Sequence, residues 1–200
     1  MDFAPARPHR PSSPSAPARI IPLKVLVAGG FGVGKTTFVH SVSEITPVTT
    51  EQAMTSLSIG VDDTTAVEGK ATTTVAMDFG RITVDEQLIL YLFGTPGQSR
   101  FWFMWDDLSS GAVGAVVLVD LRRVGDCFAA IDYFEDREIP FVVAVNCFPG
   151  ADAFDERTVR AALALSPECP LIDVDARDLR SSMDALIGLV EHALARSTAG

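Results

Sequence analysis

Lysine, cysteine and long apolar runs are all scarce in this chain, and each scarcity closes off a class of function. Only three lysines occur, Lys24, Lys35 and Lys70, and 16 basic residues stand against 26 acidic ones, for a net charge of −10. Binding nucleic acid through a broad basic face is therefore not expected. The cysteines, Cys127, Cys147 and Cys169, are widely spaced with no C-x-x-C pair. That excludes a disulfide framework and a zinc site of the usual spacing. His9, His40 and His192 likewise show no metal-ligand spacing. No apolar run approaches the roughly 18 residues that cross a bilayer. The first residues hold no apolar signal core, position 2 is not glycine, and no cysteine lies near the C-terminus. A cytoplasmic protein without a lipid anchor is expected. With 48% hydrophobic residues in 200, one domain with a substantial core is affordable.

What the chain does contain is Gly29-Gly30-Phe31-Gly32-Val33-Gly34-Lys35-Thr36. This fits G-x-x-x-x-G-K-[ST], the phosphate-binding loop. Its glycines let the backbone wrap a phosphate with N–H groups turned inward. Lys35 would reach the β- and γ-phosphates, and the Thr36 hydroxyl would face Mg²⁺. The apolar run 23–28 reads as a buried strand leading into the loop, and Thr36 and Thr37 open a helical stretch. Phosphates would then sit at a helix N-terminus, where free N–H groups and the dipole favour anions.

Organisation follows from periodicity. Residues 1–19 read as a disordered tail with proline at 5, 8, 11, 14 and 17, a spacing that matches the polyproline II turn. Residues 20–198 form the phosphate-binding domain. Apolar runs at 23–28, 72–79, 87–93, 112–119, 140–145 and 171–174 alternate with helical patterns near 35–44, 98–109, 123–136, 155–165 and 180–196. Runs such as 115–119 and 141–145 are apolar throughout, as in parallel strands buried on both faces. The polar stretch 81–87 turns 72–82 back on 87–93 as an antiparallel hairpin. The expectation is an α/β fold, a six-stranded mixed sheet with helices on both faces and ligands at the C-terminal strand ends.

Two later stretches carry a resemblance. Thr73-Thr74-Val75-Ala76-Met77-Asp78-Phe79-Gly80, then Gly94-Thr95-Pro96-Gly97-Gln98, follow the phosphate loop in the order of Ras-like small GTPases. The wider pattern G-G-F-G-V-G-K-T-T, M-D-F-G-R-I and F-G-T-P-G-Q-S-R-F-W-F-M-W-D-D-L resembles the small GTPases of bacterial conservon operons, relatives of the MglA-type polarity GTPases. The resemblance implies GTP/GDP and Mg²⁺ as ligands. It implies a roadblock/longin-type protein and a sensor-kinase-like protein as partners, through which the protein would reach a membrane.

The resemblance also implies roles for residues. Thr74, in competition with Thr72 and Thr73, would join Thr36 on Mg²⁺. Gly97 would meet the γ-phosphate and Gln98 would orient the attacking water. Gly94 replaces the family's metal-side aspartate, and Asp78 is the available substitute. The guanine motif N-K-x-D is reduced to Asn146-Cys147-Phe148-Pro149, with Asp152 or Asp155 as alternative carboxylates. Asp175-Ala176-Arg177 resembles the S-A-K loop, the Ala176 N–H meeting the base. Phe31 stands where Ras proteins prefer glycine and should hinder a partner's arginine, leaving slow hydrolysis, activation of an unusual kind, or Arg100 as an internal arginine. Switch segments are expected at 46–80 and 94–111. Phe101-Trp102-Phe103-Met104-Trp105 places four aromatics in five residues, more than one helical stripe can bury, and is expected to face a partner.

Two other functions compete. Gly94, Phe31 and Pro149 also suit a nucleotide-gated scaffold with little hydrolysis or relaxed base choice. A small-molecule or nucleoside kinase would carry the same loop, yet it needs an arginine-rich lid, and only Arg157 and Arg160 lie in the candidate region.

Overall fold

Segments that are apolar at every position become the centre of one sheet, because only a strand covered on both faces removes such a run from water. A computed structural model describes residues 20–46, 48–54, 73–97, 99–148 and 155–199. Its strands are β1 (Ile21–Gly29), β2 (Val48–Met54), β3 (Thr73–Thr83), β4 (Leu88–Gly94), β5 (Ala112–Val119), β6 (Phe141–Asn146) and β7 (Leu171–Val174). The sheet order is β2-β3-β4-β1-β5-β6-β7. β4, β1, β5, β6 and β7 run parallel. β3 is antiparallel to β4, and β2 is antiparallel to β3.

The six expected strands are present, and β2 extends the sheet by a seventh. It falls inside 46–80, the first of the expected switch segments. Its sequence VTTEQAM lacks apolar alternation, so the strand arises from ladder pairing with β3 rather than from its own pattern. The hairpin turn is fixed by Asp85, whose carboxylate accepts the N–H groups of Gln87 at 2.7 Å and Leu88 at 2.8 Å, a local bond that aspartate favours in turns.

Helices cover both faces. α1 (Lys35–Val42) and α5 (Leu179–Ala199) pack Phe38, Val39, Val42, Ala185, Leu186 and Leu189 against Val25, Val27, Val116 and Val142. On the other face, α2 (Trp105–Ser109), α3 (Phe128–Asp136) and α4 (Glu156–Ala162) bring Trp105, Ile131, Phe134, Val159 and Leu163 onto Leu26, Val117 and Val143. The even and odd residues of β1 thus serve two separate cores, the period-2 consequence of a fully covered strand. The stretch expected to be helical over 98–109 is a 3-10 turn at Ser99–Met104 followed by α2. The tail 1–19 lies outside the described residues.

Candidate nucleotide site

Every parallel strand delivers a polar residue or a loop at its C-terminal end. β1 ends in the glycine loop, β4 in Gly94-Thr95-Pro96-Gly97, β5 in Asp120, β6 in Asn146 and β7 in Asp175. Ligands bind at this end of such sheets, where connections diverge to opposite faces.

The glycine loop turns into α1 through Gly34. Its φ of +107° is left-handed backbone that an L side chain rarely tolerates. A side chain there would also strike Asn146 Nδ2 at 2.6 Å. Lys35 folds back over the loop, its Nζ donating to the carbonyls of Gly29 at 3.0 Å and Gly30 at 2.7 Å. Burial pushes its pKa down to about 8, partly offset by the Asp78 carboxylate. The ammonium is thus held at a cost that a bound anion would relieve. Val33 is buried, while Phe31 and Gly32 form the open crest, with the Phe31 ring 66% exposed.

Asp78 and Gly94 act as a pair across β3 and β4. The Thr36 hydroxyl donates to Asp78 Oδ2 at 2.6 Å. A Cβ at position 94 would lie 3.2 Å from both Cβ and Oδ2 of Asp78. The Asp78 side chain therefore crowds the space that a side chain at 94 would need. A hydroxyl and a carboxylate side by side form an all-oxygen donor set, which fits Mg²⁺.

Gly97 closes over the loop from the β4 side. A Cβ on it would stand 2.7 Å from Lys35 Nζ and 3.0 Å from the Gly30 carbonyl. Thr95 fastens this segment by donating its N–H to Val27 O at 2.8 Å. The expected γ-phosphate contact and the expected phosphate-binding lysine are therefore adjacent.

Asn146 joins three parts of the site. Its Nδ2 donates to Val33 O at 2.8 Å, and its Oδ1 accepts the Ala176 N–H at 3.1 Å. The residue is buried, so both bonds replace water that it has lost. The Ala176 N–H, expected to meet a base, is committed to Asn146 instead. Cys147 is exposed and donates its N–H to Val174 O at 2.7 Å. Phe148 lies under the Arg122 guanidinium, 4.0 Å from ring centroid to cation. Arg177 clamps Asp175 through 2.8 and 2.7 Å bonds, holding that carboxyl down to about 2.

Not every expected residue is assembled. Thr74 sits on β3 with its backbone paired to Ala53 on β2. It lies four residues before Asp78, about 13 Å along an extended strand, and so is not beside Thr36. Thr37 occupies the exposed first turn of α1. Asp155 caps α4 by accepting the Thr158 N–H at 3.2 Å, which explains it without a base contact. Gln98, Thr72, Pro149 and Asp152 lie outside the described residues, and of the Arg100 side chain nothing is described. Among the described residues no cluster of three His, Cys, Asp or Glu side chains forms a metal site. No described helix is long and apolar enough to cross a membrane.

The aromatic run divides. Phe101 and Trp105 are buried at 8% and 3% exposure, whereas Trp102 and Phe103 stand 43% and 61% exposed. The sequence also hides a contributor. Asp120-Leu121-Arg122-Arg123 follows β5; the buried Asp120 carboxylate pairs with both arginines, and of the two Arg123 reaches the loop, at the Phe31 carbonyl. An aspartate ending an otherwise apolar buried strand is the signal that marks it.

Known proteins resemble this chain in sequence or in fold. The chain is 31% identical over 126 residues to the uncharacterized protein MJ1339 of Methanocaldococcus jannaschii, covering 62% of this chain and 69% of that one. It is 23% identical over 190 residues to the human Ras-related protein Rab-7b, covering 90% and 86%. The G-domain of FeoB from Methanococcus jannaschii superposes with a TM-score of 0.56 at 12% identity, over 86% of this chain and 98% of that one. The cytosolic domain of the T. maritima FeoB iron transporter gives 0.62 at 16% identity over 86% of this chain, which spans only 64% of that structure. The fold is that of a GTPase-like nucleotide-binding domain. The model of the family described as conserved hypothetical ATP binding protein matches residues 27–196, and the chain belongs to that family.

Proposed function

We propose that this protein is a GTP-binding, GTP-hydrolysing switch of a bacterial signalling module, of the conservon type. The observation that carries this is the Asn146 bridge. One side chain ties the glycine loop at Val33 to the β7 loop at Ala176, which supports one ligand reaching both segments.

In this proposal the loop amides from Gly29 to Thr37 and the Lys35 ammonium bind the β- and γ-phosphates. Thr36 and Asp78 would hold Mg²⁺, which would supply positive charge to offset that of the phosphates. Gly97 N–H meets the terminal phosphate and Gln98 orients water. Cys147, Phe148 and the segment Asp175, Ala176 and Arg177 border the base, with Ala176 exchanging its Asn146 partner for a base oxygen. Thr74 reaches the metal side only when the β2–β3 ladder is remade. That rearrangement, with segment 94–111, is the motion of the switch. The exposed Trp102 and Phe103 are the face read by roadblock/longin-type and sensor-kinase-like partners, since exposed aromatics are common interface anchors. A cytoplasmic site of action follows from those partners.

The exposed Phe31 crest favours one second reading, a scaffold gated by nucleotide with little turnover, open to ATP as well as GTP. The test is to denature the purified protein and identify the released nucleotide, then to follow GTP and ATP turnover. Guanine nucleotide with measurable GTP hydrolysis supports the switch. Adenine nucleotide, or binding without turnover, supports the scaffold.

A further inference from the structure

The corner after β5 presses on the outside of the phosphate loop. A Cβ at Gly30 would lie 2.6 Å from Asp126 Cβ. Within this corner, Leu121–Asp126 is a 3-10 segment broken at Arg123, whose φ of −142° and ψ of 54° are not helical. The break turns the Arg123 side chain toward the loop. Its Nη2 donates to the Phe31 carbonyl at 3.1 Å and would be 3.7 Å from a Cβ on Gly32. A guanidinium therefore rests on the crest whose amides, by the loop's pattern, face the terminal phosphates.

Its neighbour Arg122 is held differently. Arg122 grips Asp120 through Nε and Nη2 at 2.9 and 2.8 Å and stacks on Phe148. Arg123 has only longer contacts, 3.4 Å to Asp120 and 3.6 Å to Asp126 beside the Phe31 bond, and its side chain is 46% exposed. One arginine is anchored, and the other is loosely held at the crest. Phe31 itself is 66% exposed at the same crest.

We infer that Arg123 is the internal arginine of this site, moving from the Phe31 carbonyl to the oxygens between the β- and γ-phosphates as the terminal bond breaks. This rests on the proposed function above. In the step, a water oxygen attacks the γ-phosphorus while its bond to the β-phosphate oxygen breaks. The electron pair stays on that oxygen, and GDP, inorganic phosphate and one proton are the products. Arg123 gives up no proton, since a guanidinium stays charged. It acts by meeting the charge that accumulates on the leaving oxygen.

The test uses the full chain with Arg123→Ala and Arg123→Lys. Titration with a fluorescent GTP analogue reads binding, and single-turnover hydrolysis reads chemistry. The aluminium-fluoride-dependent complex with GDP reads the transition-state geometry, and thermal unfolding confirms the fold. Expected are GTP affinities within about threefold of wild type, at least a 10²-fold fall in hydrolysis and loss of the aluminium fluoride complex. Lysine should not rescue, because a point charge lacks the fork, and Arg123→Lys decides the matter if the alanine variant is unstable. Wild-type hydrolysis or complex formation in the lysine variant overturns the inference. So does a parallel loss of affinity and rate, which would make Arg123 a residue that only shapes the loop. A wild-type chain that binds GTP but shows neither hydrolysis nor the complex unaided also overturns it, leaving the binding proposal standing. A wild-type chain that binds no nucleotide removes both.

Discussion

Moving one carboxylate between adjacent strands tests how the side of the site proposed for Mg²⁺ is built. Asp78 on β3 accepts the Thr36 hydroxyl at 2.6 Å, and a Cβ at position 94 on β4 would stand 3.2 Å from Asp78, closer than side chains ordinarily pack. Gly94→Asp alone would place two carboxylates within about 4 Å. At an effective dielectric near 20 their repulsion is about 4 kcal/mol. Asp78→Gly alone removes a charge-assisted hydrogen bond worth about 1.5–3 kcal/mol and adds roughly 1 kcal/mol for glycine in a strand. The double variant restores one carboxylate, one vacancy and the oxygen beside Thr36. It should therefore be more stable than the sum of the single changes by at least about 2 kcal/mol, the signature of directly coupled residues. Urea unfolding of the four proteins measures that coupling. The magnesium dependence of GTP affinity should be weak in Asp78→Gly and recovered in the double variant. Additive effects within about 0.5 kcal/mol, or a Gly94→Asp protein as stable as wild type, would refute the idea that the two positions share one site.

Further outcomes follow from the same geometry. Lys35→Met should abolish triphosphate binding yet raise stability at neutral pH. The buried ammonium, with its pKa pushed from 10.5 to about 8, disfavours folding by about 3 kcal/mol. That penalty is fully present below pH 8 and fades as pH climbs toward 10.5, because the unfolded chain then holds the extra proton; chemical denaturation at pH 7 and 10 compares the two proteins. GTP binding should draw roughly 0.9 proton onto Lys35 at pH 9. Calorimetry in buffers of different ionisation heat measures this, and no uptake would mean the lysine does not meet the phosphates. Asn146→Ala strands the buried Val33 carbonyl and Ala176 N–H and should cost about 2–4 kcal/mol along with nucleotide affinity, read by urea unfolding and titration. Trp105→Ala should cost about 3–5 kcal/mol, since its ring packs on Tyr133 and Phe134 and its Nε1 donates to Pro96 O at 3.2 Å. Trp102→Ala and Phe103→Ala, at exposed positions, should each cost under about 0.5 kcal/mol.

By itself the sequence determined what depends on local spacing. The glycine loop between a buried strand and a helix, the fully apolar runs of the parallel strands and the Asp85 turn of the hairpin each have a short-range cause. The pattern G-x-x-x-x-G-K-[ST] also named the residues proposed to meet phosphate, since those roles belong to backbone direction and one side chain within eight residues. Only the tertiary structure decided what depends on strand order. Asp78 stands beside Thr36 because β3 lies next to β4 at a register that no pattern within either strand encodes. Asn146 bridges Val33 and Ala176 because β6 ends level with β1 and β7. Arg123 meets Phe31, 92 positions away in the chain, because β5 lies directly against β1. Contacts between the ends of neighbouring strands are set by the packing of both faces of the sheet, and that packing sums over many residues, none of which carries the information alone.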